Sequence, residues 1–321
     1  MSARSATPRP PRLELTVPGS AAGTRLDAHL GGRPEIGTRA GAQALIAAER
    51  VSVDGRVRPK SHRLAGGERI EVDLGEPVEG ARPAPDTGRV PAVPYALVYE
   101  DDDLLVVDKP AGVVVHPGHG REHGTLAQAL AGRTVGGPPE RRGVVHRLDR
   151  DTSGLLLFAG SQRAYDALVE ALRRRAVRRE YLALVEGVPD APSGTVDAAV
   201  GRGRSDRTRI SIATDRPRSA RTRFSVREAL ARTALLELEL ETGRTHQIRA
   251  HAAAIGHPVC GDARYGGGHC GRRLGLERQF LHAARLSLAH PITGDPLSFE
   301  SPLPDDLDAA LGRARSERAG A

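Results

Sequence analysis

The chain has 321 residues and a mass of 34.1 kDa, more than a single hydrophobic core usually supports, so we expect two domains. Its 39% hydrophobic and 27% charged residues exclude a wholly disordered protein. No run of about 18 apolar residues occurs, which excludes a membrane-spanning helix, and the first residues lack the apolar segment of a secretion signal. Two cysteines are too few to cross-link a chain of this length, so we expect a reducing compartment, the cytoplasm.

The chain is strongly basic, with a formal net charge of +7 and a pI near 10.0. This favours a polyanionic partner, because basic side chains release counterions from phosphate backbones. All but two of the 47 basic residues are arginine, the exceptions being Lys60 and Lys109. Such a skew also arises from genomic base composition, so charge alone favours nucleic acid without establishing it.

Composition divides the chain into segments. Residues 76–94 carry five prolines and little apolar content, as expected of a linker between domains. Residues 1–12 show no hydrophobic periodicity, and we expect them to be disordered; residues 308–321 are rich in Ala and Arg, and we expect a flexible tail. The sequence therefore predicts a small domain over residues 13–75 and a large one over residues 95–307.

The small domain begins with two helical patterns, over residues 25–30 and 39–50. Apolar residues then alternate with polar ones, and Asp54-Gly55 predicts a hairpin turn. The segments RLDAHL and 38–72 resemble an S4 RNA-binding domain. That resemblance implies RNA contacts by Arg39, Arg50, Arg56, Arg58 and Lys60. The alternative is a protein-interaction or purely structural appendage.

The large domain alternates short β-rich runs with helices. Strands are predicted within residues 96–101, 104–117, 153–160, 179–187 and 234–242. The clearest helix covers Arg163 to Arg175, with apolar residues at helical spacing. Strands outnumber helices and short turns join many of them, so we expect an α/β fold with a mixed, mostly antiparallel sheet.

The densest group of reactive side chains is HRLDRD, residues 146–151, between two apolar segments. This arrangement predicts a charged loop at the mouth of buried strands. We expect Asp149 to be ionised, because arginines flank it. Local physics alone also allows an Arg–Asp surface network or an Asx-type turn before Ser153-Gly154.

The segment HRLDRDTSGLLLFA resembles the signature of the RNA pseudouridine synthases marked by His-Arg-Leu-Asp. Two further family motifs occur in order, DKPAGVVVHPG at 108–118 and ETGRTHQIRAHAAAIGHPVCGDARYGG at 241–267. The segment LHAARLSLAHPITGDPLSFESPLPDDL resembles the C-terminal strands of the family. The resemblance covers residues 94–307 and, together with the S4-like segment, implies the subgroup that modifies large-subunit ribosomal RNA.

Pseudouridine forms when the C1′–N1 glycosidic bond of uridine breaks and the turned base rejoins through C5. This resemblance implies neither cofactor nor metal, because no net oxidation or hydrolysis occurs. Asp149 falls on the catalytic aspartate of the family. A carboxylate can attack or stabilise the electron-poor sugar carbon, or remove a proton beside it, and the sequence does not distinguish these roles.

Other site residues follow from the resemblance by position. Arg249 matches the basic residue that pairs with the catalytic carboxylate, with Arg244 as the nearer competitor. Tyr181 matches the aromatic that packs on the target base and can help move the C5 proton; its alternative is a half-buried core tyrosine. Arg147 matches an arginine that fills the vacated base stack or holds phosphate. His146 is interpreted as an RNA-contact or loop-orienting residue, or as a structural histidine.

Two basic runs fit an RNA track, one over residues 173–179 and one over residues 201–223. His116 and His119 are assigned a structural role in their loop, the alternative being that they are ligands or RNA contacts. We expect no zinc site, because the spacing of the remaining candidate ligands matches no common pattern. Those candidates are His257, Cys260, His269 and Cys270.

The expected partner is RNA, either 23S-type ribosomal RNA or a precursor ribosomal particle, bound by a monomer without metal or membrane. Alternatives are the same isomerase acting on transfer RNA, and an RNA-binding or ribosome-assembly factor without catalysis. A metal-dependent nuclease is disfavoured, because no cluster of carboxylates or histidines has suitable spacing.

Overall fold

The computed structural model describes residues 12–31, 33, 35–36, 39–74, 93–118, 123–204 and 206–317. The chain splits into two compact units, Met1–Arg89 and Val90–Ala321. Nearly all of the predicted linker lies outside the described residues, as do the residues before Arg12 that we expected to be disordered.

The first unit is a small sheet with two helices. Its elements are β1 (Arg12–Thr16), α1 (Leu26–Gly31), α2 (Arg39–Ala47), β2 (Val51–Val53), β3 (Arg56–Val57) and β4 (Arg69–Asp73). The strands pair antiparallel in the order β1-β4-β2-β3. The predicted hairpin turn is present, with positive φ at both Asp54 and Gly55. Strand β1 was not predicted from the sequence.

The second unit contains a large sheet, a two-stranded hairpin and five helices in the part of the chain that is described. Its strands are β5 (Ala96–Glu100), β6 (Leu104–Lys109), β7 (Ser153–Ala159), β8 (Arg178–Glu186), β9 (Ser193–Asp197), β10 (Gly201–Arg202), β11 (Ile210–Ser211), β12 (Arg221–Ala229), β13 (Thr233–Leu240), β14 (Leu281–Ala289) and β15 (Pro296–Glu300). Its helices are α3 (Leu126–Ala129), α4 (Gln162–Arg173), α5 (Gln247–Ala254), α6 (Gly268–Arg273) and α7 (Asp305–Ser316).

The large sheet has the order β5-β6-β7-β14-β8-β13-β12-β9, with β15 also paired to β14. Neighbouring strands are antiparallel except β7 and β14, which confirms the expected mixed, mostly antiparallel sheet. Gly154 is required where β7 meets β14, because a Cβ there would lie 2.3 Å from the carbonyl oxygen of Ala283. The hairpin of β10 and β11 forms a separate sheet.

Both faces of the sheet centre are covered. Leu155 and Leu157 of β7 pack on the α4 side, whereas Leu156 and Phe158 join the larger core on the opposite side. Successive side chains of a strand point to opposite faces, so burial on both faces explains why β7 reads as a continuous apolar run. The charged loop that precedes β7 is thereby fixed at the edge of two cores.

One expectation was wrong. The predicted flexible tail from residue 308 is mostly helix, because α7 reaches Ser316 and buries Leu307, Ala310, Leu311 and Ala314 in the larger core. Cys260 and Cys270 form a disulfide, a pairing that was not predicted from the sequence. In the described ranges, no helix has both the length and the apolar character needed to cross a bilayer.

Candidate active site

Asp149 lies in the loop that leads into β7. Its neighbour Leu148 is buried in the larger core, whereas Arg147 and Arg150 are exposed. The amide of Thr152 donates a hydrogen bond to the carbonyl oxygen of Asp149 at 3.1 Å. Burial of Leu148 and this turn hold the Asp149 side chain at the wall of a cleft of about 690 Å³.

Arg249 connects Asp149 to a second, buried carboxylate. Its Nη1 donates to Oδ2 of Asp149 at 3.2 Å, while Nε and Nη2 donate to Asp262 at 2.6 and 2.9 Å. Burial lowers the pKa of Arg249, but the hydrogen bonds and charges of Asp262 and Asp149 outweigh burial and raise it. The guanidinium is therefore a fixed positive charge beside Asp149, as the family resemblance implied.

His246 approaches the same oxygen of Asp149, with Nε2 at 3.9 Å from Oδ2. Its Nδ1 lies 3.0 Å from the hydroxyl of Tyr265, which accepts a hydrogen bond from the amide of Ile210 at 3.2 Å. The Tyr265 hydroxyl can then donate to Nδ1, so the proton of a neutral His246 lies on Nε2, towards Asp149. Burial lowers the pKa of His246, which favours this neutral form.

Arg249 and His246 both approach Oδ2 of Asp149. Within the described residues, Oδ1 forms no hydrogen bond. One oxygen of the carboxylate is thus oriented by the protein, and the other is available to a molecule in the cleft. Such a carboxylate can attack an electron-poor carbon or take a proton from it.

Lys109 positions the Asp149 loop from behind. It is fully buried, and its Nζ donates to the carbonyl oxygens of Pro110, Val113 and Arg150 at 2.8, 3.0 and 2.9 Å. Burial lowers its pKa to about 7, against the raising effect of nearby carboxylates. A compact ammonium with three donors fits three converging carbonyls better than a planar guanidinium does.

Arg244 does not pair with Asp149. Its Nε donates to the carbonyl oxygen of Ser219 at 3.2 Å, and it lines a second cavity, with Thr245. Arg147 lines the cleft and its Nη1 lies 3.4 Å from Nε2 of His116.

His146 is held by the sheet rather than presented to the cleft. Its Nε2 accepts a hydrogen bond from the amide of Leu157 at 3.0 Å, and burial lowers its pKa to about 3. This neutral, hydrogen-bonded state favours the structural alternative over an RNA contact. His116 is 5% exposed and its pKa is lowered to about 4 by burial and by Arg147 and Arg141, whereas His119 lies outside the described residues.

Tyr181 lies in β8 and is only 4% exposed, which favours a core position over an open stacking surface. Burial raises its pKa, Arg179 opposes this and the charge of Asp149 adds to it. The phenol is therefore protonated at neutral pH and close enough to Asp149 to feel its charge.

The RNA-contact residues implied for the small unit are partly described. Arg39 begins α2, but its side chain is outside the described part. Lys60 is exposed in the turn after β3, and Arg50 forms an ion pair with Asp73 at 3.5 Å.

The structure separates the two basic runs. In the first run, Arg173 and Arg174 pair with Glu170, Arg175 pairs with Glu241, and Arg178 pairs with Glu180 and Glu239. Its charges are therefore largely neutralised within the protein. The second run places several arginines around the cavity that Arg244 lines, and among the residues that the structure describes these arginines form no ion pairs.

Four residues of the site were not assigned from the sequence: Lys109, His246, Asp262 and Tyr265. The last three fall within the 241–267 segment, but their roles depend on tertiary contacts. Lys109 carried one usable signal, since lysine is rare in a chain that otherwise uses arginine. Across the described residues, no group of three or more His, Cys, Asp and Glu side chains is placed to hold a metal ion.

The sequence and the fold are similar to those of known proteins. Residues 103–254 match the family described as RNA pseudouridylate synthase. Ribosomal large subunit pseudouridine synthase D of Nitrosomonas europaea is 41% identical over 310 residues, 95% of this chain and 88% of that protein. An uncharacterized RNA pseudouridine synthase of Mycobacterium bovis is 41% identical over 94% of this chain and 98% of that protein.

Solved structures agree with the sequence matches. Human RNA Pseudouridylate Synthase Domain Containing 1 superposes with a TM-score of 0.55 at 30% identity, covering 70% of this chain and 90% of that one. The chain therefore belongs to the RNA pseudouridylate synthase family. It is an isomerase that converts uridine in RNA to pseudouridine, as the sequence resemblance implied.

Proposed function

We propose that this enzyme isomerises specific uridines in large-subunit ribosomal RNA and that Asp149 carries the reaction. The observation that carries the proposal is the Asp149 carboxylate, with Oδ2 fixed by Arg249 and Oδ1 left for a ligand in the cleft. Substrate class is inferred from relatives named ribosomal large subunit pseudouridine synthase D, which align with nearly the whole chain.

The proposed reaction uses the geometry in two steps. The target uridine leaves its helix, at a cost of a few kcal/mol, and enters the cleft. Oδ1 of Asp149 then either attacks C1′ as the C1′–N1 bond breaks, and leaves again when C5 bonds to C1′, or takes an adjacent ribose proton, which returns to the ribose when C5 bonds to C1′. In both cases C5 loses its hydrogen as a proton, while Arg249 donates to Oδ2 and His246 lies 3.9 Å from it. Arg147, exposed at the cleft, fills the vacated stack or holds a phosphate.

Additional RNA contacts are proposed for the small unit. Lys60 and Arg56 are exposed beside its hairpin, which suits a sequence-independent contact with phosphates.

The test is release of tritium from RNA labelled at uracil C5, because formation of the new C5 bond expels that hydrogen. The substrates are transcribed large-subunit ribosomal RNA, precursor ribosomal particles and transfer RNA. We expect release from ribosomal RNA by the wild type and none by Asp149→Asn, whose RNA affinity stays within a few fold.

Three results would contradict the proposal. Turnover by Asp149→Asn near that of the wild type would remove Asp149 from the chemistry. Release from transfer RNA alone would change the substrate class, and RNA binding without release from any substrate would favour the assembly-factor alternative.

A further inference from the structure

A second cavity, of about 470 Å³, is lined by the residues that directly precede His246 in the chain. One wall is the hairpin of β10 and β11 with the residues that follow it, and the other is formed by residues 243–245. We call this cavity the arginine pocket. Its arginines are Arg202, Arg207, Arg216, Arg218 and Arg244.

The arginine pocket has little counter-charge of its own. Its acidic lining residue, Asp215, is already paired with Arg204 at 2.7 Å. Within the described part of the chain, none of the five lining arginines forms an ion pair. Arg202 and Arg244 instead donate to backbone carbonyl oxygens. Burial and then the charge of Arg218 lower the pKa of Arg244, so the cations repel one another.

Another cation lies directly beneath the pocket wall. Arg179 is only 6% exposed and has no acidic partner among the described residues. A Cβ on Gly243 would lie 2.9 Å from its Nη1, so the glycine lets the guanidinium approach the cavity. Burial lowers the pKa of Arg179, as expected of a charge without an anion.

The arginine pocket adjoins the catalytic cleft. Thr245 lines the pocket and His246, the next residue, lines the cleft; consecutive Cα atoms are about 3.8 Å apart. The hydroxyl of Tyr265 bonds both Ile210 of the pocket and His246 of the cleft. A strand that delivers its uridine to Asp149 can therefore reach the pocket within a few nucleotides.

We propose that the arginine pocket binds the phosphodiester backbone of the RNA strand that adjoins the flipped uridine; this rests on the proposed function. Guanidinium groups pair with phosphate oxygens in a bidentate manner. The described lining of the pocket contains no aromatic ring, so it offers phosphates a binding site and bases no stacking surface. The pocket contributes to RNA affinity and not to base choice.

The experiment compares two matched double variants of the full chain. Arg216→Gln/Arg218→Gln removes two unpaired pocket charges. Arg285→Gln/Arg315→Gln removes two exposed charges that pair with Glu300 and Glu228. Affinity for transcribed large-subunit ribosomal RNA is measured between about 50 and 200 mM salt, the range over which phosphate contacts lose most affinity.

We expect the pocket variant to bind RNA about tenfold more weakly than the wild type at the lower salt concentrations. The slope of log K against log salt should be shallower by about 1.5 to 2, because each phosphate contact adds close to one to that slope. The effect falls on KM rather than on kcat. The control variant keeps the wild-type slope, and Arg216→Lys/Arg218→Lys recovers most of the binding.

An unchanged slope, or an equal loss in both Gln variants, would overturn the proposal. Inorganic phosphate or uridine monophosphate that displaces RNA beyond its ionic-strength effect would assign the pocket to a free phosphate instead. Failure of the proposed function would give a different result. The wild type would release no tritium, while the salt dependence of RNA binding would still differ between the pocket variant and the control variant.

Discussion

Arginine has opposite environments in the catalytic cleft and in the arginine pocket. Arg249 is 8% exposed, and Asp149 and Asp262 together engage its Nε, Nη1 and Nη2. Arg216 and Arg218 are exposed and have no ion pair in the described residues. A guanidinium with internal partners orients a reacting group, whereas one without partners is free to bind an anion from outside. The position of an arginine relative to the carboxylates of the protein, more than its residue type, therefore determines whether it orients a reacting group or binds an anion.

The largest predicted difference is between two variants in which one arginine is replaced by glutamine, Arg249 in the catalytic cleft and Arg244 in the arginine pocket. Arg249→Gln should lower kcat by about 10² to 10³, because a positioned charge at the reacting carboxylate is lost. It should also reduce the free energy of unfolding by about 3–5 kcal/mol, since Asp262 is left buried without its cation. Arg244→Gln should raise KM several-fold and leave kcat and Tm unchanged.

Steady-state kinetics and thermal melts distinguish the two variants. If Arg244→Gln lost kcat as severely as Arg249→Gln, the division between an orienting and a binding arginine would be wrong.

A smaller effect is expected at Tyr181, a buried residue close enough to Asp149 for the charge of that carboxylate to raise the pKa of its phenol. Tyr181→Phe should slow turnover by about 10², the lower end of the effect of a proton-transferring group, because the phenol lies near Asp149 and is protonated. RNA affinity and Tm should stay close to those of the wild type. A normal kcat in single-turnover experiments would reduce Tyr181 to a core residue.

The smallest effect is on the pH dependence of stability. The pKa of His146 is about 3 in the folded protein and near 6.5 when unfolded, so the unfolded chain binds more protons between these values. Stability should therefore fall as the pH drops from 6.5 towards 3. The decline should be shallower in His146→Gln, whose amide oxygen can still accept from Leu157.

Urea titrations at pH 7, 6 and 5 measure that slope. Salt-dependent RNA binding by the arginine pocket should not change between pH 6 and 9, because guanidinium groups keep their charge. A pocket whose binding titrated in this range would contradict its assignment to arginine.

The strands around the site were predictable because their side chains repeat every two residues or are buried on both faces. Thus β6 and β7 lie inside the predicted segments, and β8 and β13 begin one residue before theirs. The helix α7 was missed although Leu307, Ala310, Leu311 and Ala314 have helical spacing, because an Ala- and Arg-rich composition was interpreted as a tail.

The sequence limited the basic partner of Asp149 to two candidate arginines but did not distinguish between them. Arg244 and Arg249 lie near one another in the same motif, and only the direction of α5 brings the second to Asp149, 100 residues earlier. Asp262 and Tyr265 act through contacts with Arg249 and His246 that no local pattern encodes. Likewise, Lys109 holds Arg150 across 41 residues.

The rarity of lysine has a practical consequence for labelling this protein. Lys109 is fully buried with its Nζ bonded to three carbonyl oxygens, whereas Lys60 is exposed in the small unit. An amine-reactive fluorophore applied to the folded protein near pH 9, after the more acidic α-amino group has been blocked at lower pH, should attach at Lys60. The dye would then report RNA engagement by the small unit separately from events in the cleft.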